Sequence, residues 1–385
     1  MPALTNSSKT HRYQTALSEL DQLGRRRALA PRQGIDFSSN DYLALSEAPS
    51  MREAMIDALE RGVAVGSGGS RLLRGNHPEH EALEAEAATF FGAERALFLG
   101  GGYIANFALL TALPQRGDLL VYDALIHASC HEGMRAGRAE YLEAAHNDPQ
   151  AVEDIIRDWR YKGGKGCVWI AVESLYSMDG DRAALADFLA VADRHDAFLL
   201  IDEAHATGVF GPMGRGLSAA YEGRENVICL HTCGKALGAH GALICAPSVL
   251  CEFLVNRSRP FIYATAPSPL MASAVRHALK LLQTEPERQN KLANLVEFAH
   301  RELVTRCGME GSGSQILPVI VGGNARAMKL AAALQSHGFD IRGIRPPTVP
   351  EGTSRLRIAL TLHVDELQVT DMIDCLAMHL KANPQ

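Results

Sequence analysis

The chain has 385 residues, 47% of them hydrophobic, and a formal net charge of −6 with acidic and basic residues interspersed. That length predicts one large domain with a smaller companion, and the charge balance excludes an electrostatic case for nucleic acid or an anionic membrane. No apolar run is long enough to cross a bilayer and the opening residues hold no apolar signal core, so a cytoplasmic location is expected, with small molecules or further copies of the chain as partners.

Met51, Met55, Ile56 and Leu59 fall at helical spacing and predict a helix over 50–62, with a second over 80–91. The glycine-rich 65–71 between them reads as a loop. Short apolar runs at 95–99, 118–122, 167–172, 197–202, 226–231 and 241–245 then alternate with amphipathic stretches at 103–113, 126–136, 149–160 and 184–195. This alternation predicts an α/β fold, a mainly parallel sheet covered by helices on both faces. A mostly helical stretch over 267–307 breaks the pattern. Beyond it, runs at 315–322 and 355–361 and helices over 325–336 and 364–380 predict a small α/β unit. The expected organisation is an N-terminal segment (1–45), a large domain (46–280) and a small C-terminal domain (281–385). The first forty residues have too little apolar pattern to fold alone and should pack on the small domain or on a partner chain.

Eight cysteines, at 130, 167, 229, 233, 245, 251, 307 and 375, form no CxxC pair and no ligand-like cluster with histidine along the sequence. Reduced, packed thiols are expected, and no metal site.

Lys235 lies in Leu230-His231-Thr232-Cys233-Gly234-Lys235-Ala236-Leu237-Gly238, about thirty residues after a strand ending Leu200-Ile201-Asp202-Glu203-Ala204-His205. Small neighbours let a lysine approach a planar cofactor, and an acid at a strand end can hold a pyridinium nitrogen. Together they suggest a Schiff base with pyridoxal phosphate. A solvated loop charge is the plainer reading of the lysine alone. The acidic run also mimics the magnesium box of nucleotide-driven motors, but Gly234-Lys235 lacks the glycine and hydroxyl of a phosphate loop.

The remaining needs of pyridoxal phosphate each have a candidate. Gly100-Gly101-Gly102-Tyr103 follows a strand and opens a helix, where bare backbone amides bind phosphate. Taken alone, this turn equally mimics a nicotinamide-binding loop. Thr232 could add a hydroxyl to the phosphate, His205 could reach the phenolic oxygen, and His127 could stack on the ring. Ser177, at a further strand end, could contact the cofactor. His127 and His205 also have structural readings, as turn histidines bonded to backbone.

In these residues and in their order the chain resembles the α-oxoamine synthases, fold-type I pyridoxal-phosphate transferases with a seven-stranded-type sheet. The matching stretches are FSSNDYLALS from Phe37, GSGGSRLLRGNHPEHEALE from Gly66, DALIHAS from Asp123, ESLYSMDGD from Glu173, DEAHATGVFG from Asp202, HTCGKALG from His231 and IRPPTVPEGTSRLR from Ile344. The Ile344 stretch is similar to that of the member condensing L-alanine with a pimeloyl thioester, carried by coenzyme A or by acyl carrier protein. Glycine-using members remain the alternative, and a nicotinamide-dependent oxidoreductase the alternative from another class. Ala239-His240-Gly241 departs from the family, which often has a smaller residue than histidine there.

The resemblance implies that Lys235 anchors the cofactor and then moves the Cα proton, that Asp202 holds the ring nitrogen, and that Arg357 clamps the amino-acid carboxylate. It also implies substrate-side roles for Asn40, Thr348, His127 and one arginine of Arg25-Arg26-Arg27, here Arg25. A homodimer with shared sites is implied as well, with Thr265 reaching the phosphate across the interface.

Overall fold

The structure is a computed structural model describing residues 8–382. Residues 1–7 and 383–385, the outer ends of the N-terminal segment and of the small domain, lie outside the described residues. Twelve strands form in chain order: β1 (Ile35–Asp36), β2 (Arg95–Leu99), β3 (Leu119–Asp123), β4 (Glu140–Ala144), β5 (Val168–Glu173), β6 (Ala197–Asp202), β7 (Val227–Thr232), β8 (Ala242–Ala246), β9 (Ile316–Gly322), β10 (Phe339–Asp340), β11 (Arg342–Ile344) and β12 (Ser354–Ala359).

Seven strands make the central sheet in the order β2-β8-β7-β6-β5-β3-β4. Its pairs are parallel except those of β8, which runs antiparallel to both neighbours. β3, β5 and β7 are buried along their whole length, as strands covered on both faces must be. Alternate residues serve opposite faces. Val168, Ile170 and Val172 enter the core formed with the helices Pro78–Phe91 and Pro269–Thr284, while Trp169 and Ala171 enter the core under Gly102–Ala112.

The predicted strands and helices of this region form within two residues of their expected bounds. β4 was not predicted, because Glu-Tyr-Leu-Glu-Ala carries charge through an exposed edge and has no apolar run. The helix Ser248–Arg257 was missed as well.

The antiparallel sheet β11-β12-β9 packs its core against the helices Glu287–Cys307, Asn324–Ser336 and Glu366–Ala382. The N-terminal segment joins this unit. β1 pairs with β10, and Phe37 is fully buried in the same core. A helix that the sequence did not announce, Ser8–Gln22, leaves Tyr13, Leu17 and Leu20 exposed. Six of the eight cysteines are buried, but Cys167, just ahead of β5, is exposed rather than packed. Among the described residues no helix is long and apolar enough to cross a membrane.

Candidate active site

The parallel strands deliver their last residues to one rim of the sheet: Asp123 ends β3, Glu173 ends β5, Asp202 ends β6 and Thr232 ends β7. Ligands of open α/β sheets collect at such carboxyl ends. A cavity of about 260 Å³ opens there, lined by Gly102, Tyr103, His127, Asp202, His205, Thr232 and Lys235, together with Asn106, Glu173 and His240. A larger cavity of about 880 Å³ between the helices Pro49–Glu60, Pro78–Phe91 and Pro269–Thr284 holds charges already matched to one another, Arg61 with Glu79 and Arg276 with Glu79 and Glu86. The smaller cavity therefore carries the chemistry.

Lys235 follows β7 by three residues, and it is half-buried at the cavity. Burial depresses its pKa to about 8 against the opposing pull of Asp202 and Glu173, so a sizeable neutral fraction exists near neutral pH. Its Nζ stands 2.8 Å from His205 Nε2. His205 Nδ1 lies 2.7 Å from the Tyr42 hydroxyl, which donates to Asn40 Oδ1 at 3.0 Å. With its proton given to Asn40, Tyr42 accepts from Nδ1–H, leaving the Nε2 lone pair to receive an N–H of Lys235. Burial first, and then the facing Lys235 amine, hold His205 well below the ordinary histidine pKa, so the ring is neutral.

Asp202 is buried and held from two sides. Asn106 Nδ2 donates to Oδ2 at 2.7 Å and the Ala204 amide donates to Oδ1 at 2.9 Å. The same Asn106 amide donates to Ser129 Oγ, which meets His127 Nδ1 at 2.7 Å. His127 is the N-cap of the helix Ala128–Ala136 and also accepts from the Ser129 amide, which leaves Nε2 to carry the proton toward the cavity. Gly102 opens the helix Gly102–Ala112, and a Cβ there would come within 2.6 Å of Thr232 Cγ2. Only glycine lets the helix N-terminus close down on the end of β7.

Arg357, on β12, reaches the site from the C-terminal unit. Its Nε donates to the Ser177 carbonyl at 2.7 Å and its Nη2 to Tyr42 Oη at 3.4 Å. It is buried and has no carboxylate partner among the described residues. A buried cation without a counter-ion costs several kcal/mol, so it is a standing receptor for an anion. Asn40 and Ser177 join the site through Tyr42 and Arg357 rather than by lining the cavity.

The structure does not bring the other predicted positions into this cavity. Arg25 is ion-paired with Glu351, and it is Arg27 that donates to Thr348 Oγ1, at 3.1 Å. Thr265 lies exposed in the loop before the helix Pro269–Thr284. His240 is exposed at the cavity rim, so its bulk meets solvent rather than the core.

Sequence reasoning missed Glu173, Asn106 and Tyr42. Glu173 pairs in register with Asp202, and burial first, then the Asp202 charge, raise its pKa well above the carboxylate range. It is a neutral acid. Its Oε2 accepts from the Ser177 amide, and its Oε1 finds no partner. The available signal was an acid closing the apolar run Val-Trp-Ile-Ala-Val, the same pattern that singled out Asp202.

His146 braces the rim from behind, 2.8 Å from Asp123 Oδ1 and 3.0 Å from Asp181 Oδ2. Burial alone would depress its pKa, but the two carboxylates outweigh burial and raise it to about 10. The imidazolium thus ties the turn leading to His127 to the loop that bears Ser177. A raised pKa adds stability fully present below the unfolded value near 6.5 and lost as pH rises through about 10. Partial exposure screens the pair, so His146→Gln is expected to cost about 1–2 kcal/mol at pH 6. Paired thermal melts should show that gap closing above pH 10; a gap unchanged across this range would refute the charged clamp.

The match to known proteins decides the family. The model of the aminotransferase class I and II family covers residues 32–374. The chain belongs to this family. Within the family it is 40% identical to the 8-amino-7-oxononanoate synthase of Gluconacetobacter diazotrophicus, across 94% of this chain and 96% of that one. The synthase of Chromobacterium violaceum is 38% identical over 97% and 96% of the two chains. Among solved structures, a Sphingomonas wittichii serine palmitoyltransferase superposes with a TM-score of 0.85 at 26% identity, covering both chains completely. The Francisella tularensis 8-amino-7-oxononanoate synthase superposes at 0.76 with 26% identity, over 91% of this chain and 98% of that one. These relatives share the fold-type I architecture, with its central, mostly parallel sheet between helices.

Proposed function

We propose that this protein is a pyridoxal-phosphate-dependent acyltransferase that condenses L-alanine with a pimeloyl thioester, releasing carbon dioxide and the free thiol and forming 8-amino-7-oxononanoate for biotin synthesis. The observation that carries the reading is the meeting, in one cavity, of a half-buried lysine whose pKa is depressed to about 8, a buried aspartate, and a glycine-opened helix N-terminus. Relatives named for this reaction, matching at about 40% identity over nearly the whole chain, support it.

The residues fit the cofactor. Gly102 and Thr232 would hold its phosphate at the helix N-terminus. Asp202 would keep a proton on the ring nitrogen, His127 would cover one face of the ring, and His205 would serve its phenolic oxygen. When bound, pyridoxal phosphate supplies an aldehyde that captures amines and a protonated ring that takes up negative charge from Cα.

Lys235 would anchor the cofactor through Nζ and, as a free amine, would take the proton from Cα. The neutral fraction of its amine makes both roles available near neutral pH. Arg357 orients the substrate carboxylate, which sets the Cα–H bond toward Lys235. Asn40 and Tyr42 hold the tautomer and position of His205. Arg25, Thr348, Ser177 and the dimer-borne Thr265 belong to the same proposal, Arg25 and Thr348 on the acyl-donor side. L-alanine and the pimeloyl thioester as substrates, a homodimer with shared sites, a cytoplasmic location and the three-part division at residues 45 and 280 complete it.

The test is product analysis by mass spectrometry, with pimeloyl-CoA and L-alanine, glycine or L-serine supplied in parallel. 8-Amino-7-oxononanoate is expected from alanine, at a kcat/KM at least about 10-fold above that for either other amino acid. Preference for glycine would transfer the reading to a glycine-using relative.

A further inference from the structure

On the face of the sheet opposite the cavity, β7 and β8 collect a second group of ligating side chains. Glu222, His231 and Cys245 bring one carboxylate oxygen, one ring nitrogen and one sulfur within 4.8 Å of one another. His231 and Cys245 are buried, and the Glu222 side chain is only 1% exposed. The Thr207 hydroxyl donates to the Glu203 carbonyl at 2.8 Å and so accepts from His231 Nδ1, also at 2.8 Å. That bond occupies Nδ1–H and aims Nε2 into the group. Phe91 stacks on the ring at 3.7 Å and locks its plane.

His231 Nε2 stands 3.3 Å from Glu222 Oε1, yet neither it nor Glu222 Oε2 has a hydrogen-bond partner. A bare Nε2 lone pair facing a carboxylate is repulsive, and a proton or a metal cation between the two relieves it. Ligands about 2.0–2.3 Å from a tetrahedral zinc sit roughly 3.3–3.7 Å apart, so the group needs only a small contraction to coordinate one. Cys229 lies directly opposite Cys245 in the strand register but outside the group of three. A separate cavity of about 290 Å³, lined by Glu222, Cys229 and Cys245, supplies an entry path from solvent.

We propose that Glu222, His231 and Cys245 form a binding site for zinc or a similar thiophilic divalent cation, with water as the fourth ligand. Binding releases the Cys245 thiol proton. The spacing along the chain hides this site, because pairing of β7 with β8 is what joins residues 231 and 245. The cation would pin the two strands that flank the Lys235 loop.

The test uses the intact holoenzyme, stripped with a chelator, loaded with zinc chloride, desalted and assayed for bound metal. The wild type is expected to retain about one zinc per chain and to melt at higher temperature with zinc than without. Cys245→Ala and Glu222→Gln should bind zinc at least about 100-fold more weakly and lose the zinc-dependent rise in melting temperature. Cobalt(II) should give the intense visible bands of a tetrahedral thiolate site in the wild type and not in Cys245→Ala. A second group, His337, Cys375 and His379, nearer the surface, is controlled by Cys375→Ala, which should retain zinc. Circular dichroism without metal confirms that each variant folds, and if Glu222→Gln does not, Cys245→Ala alone decides. A wild type that retains no zinc, equal retention by Cys245→Ala, or loss in Cys375→Ala would each overturn the site.

Discussion

Lys235→Ala is expected to lower turnover by about 10⁴-fold or more while leaving the fold intact, because one side chain supplies both the anchoring amine and the proton-transfer group. The substitution removes a half-buried amine whose desolvation already costs stability, as its depressed pKa shows. Melting temperature should therefore hold or rise. His205 loses its Nε2 contact but keeps Nδ1 on Tyr42 and its carbonyl on Gln315 Nε2 at 2.8 Å, so the cavity should keep its shape. Cofactor should still be retained through the phosphate and ring contacts, though without a covalent bond. Steady-state rates beside circular dichroism check this. Activity within about 100-fold of wild type in a folded variant would remove Lys235 from the chemistry.

Arg357→Met is expected to act on the amino acid and not on the acyl donor. Hydrogen bonds between charged groups contribute about 1.5–3 kcal/mol, so losing a bidentate carboxylate clamp should raise KM for alanine by roughly 100-fold. KM for the pimeloyl thioester should change by less than about threefold. Arg357→Lys retains charge but not the planar fork, and should fall between the two. The variant also removes a buried cation that lacks a carboxylate partner, so little stability should be lost despite the missing bonds to Ser177 and Tyr42. Equal increases in both KM values would point to general distortion of the site instead.

Residues at strand ends were legible in the sequence because two signals coincide there. Asp202, Thr232 and the glycines at 100–102 each close an apolar run, and the sheet gathers such positions at one rim. Lys235 alone was an ambiguous loop charge; it gained meaning from Asp202 and His205 about thirty residues earlier. The seven-stranded sheet was legible for the same reason, except for β4, whose Glu140 and Glu143 hide an edge strand from any search for apolar runs.

What the sequence could not show depends on register and on contact between distant segments. Tyr42 meets His205 across 163 positions and Arg357 across 315. No local periodicity encodes those meetings. Glu173 had the same end-of-strand signal as Asp202, but only the β5–β6 register shows the two acids side by side and hence why Glu173 stays protonated. The basic run at 25–27 divides its roles in a way that spacing cannot reveal, since Arg25 serves Glu351, Arg26 serves Asp21 and Arg27 serves Thr348. Cys229, His231 and Cys245 looked scattered because antiparallel pairing, not sequence proximity, brings them together.

The central claim, that Lys235 covalently anchors pyridoxal phosphate in this cavity, is tested most directly by borohydride reduction of the purified holoenzyme followed by peptide mass spectrometry. A pyridoxyl adduct is expected on Lys235 and on no other lysine, with loss of the visible absorbance. An adduct on a different lysine, or a protein that takes up no cofactor when pyridoxal phosphate is supplied, would contradict it.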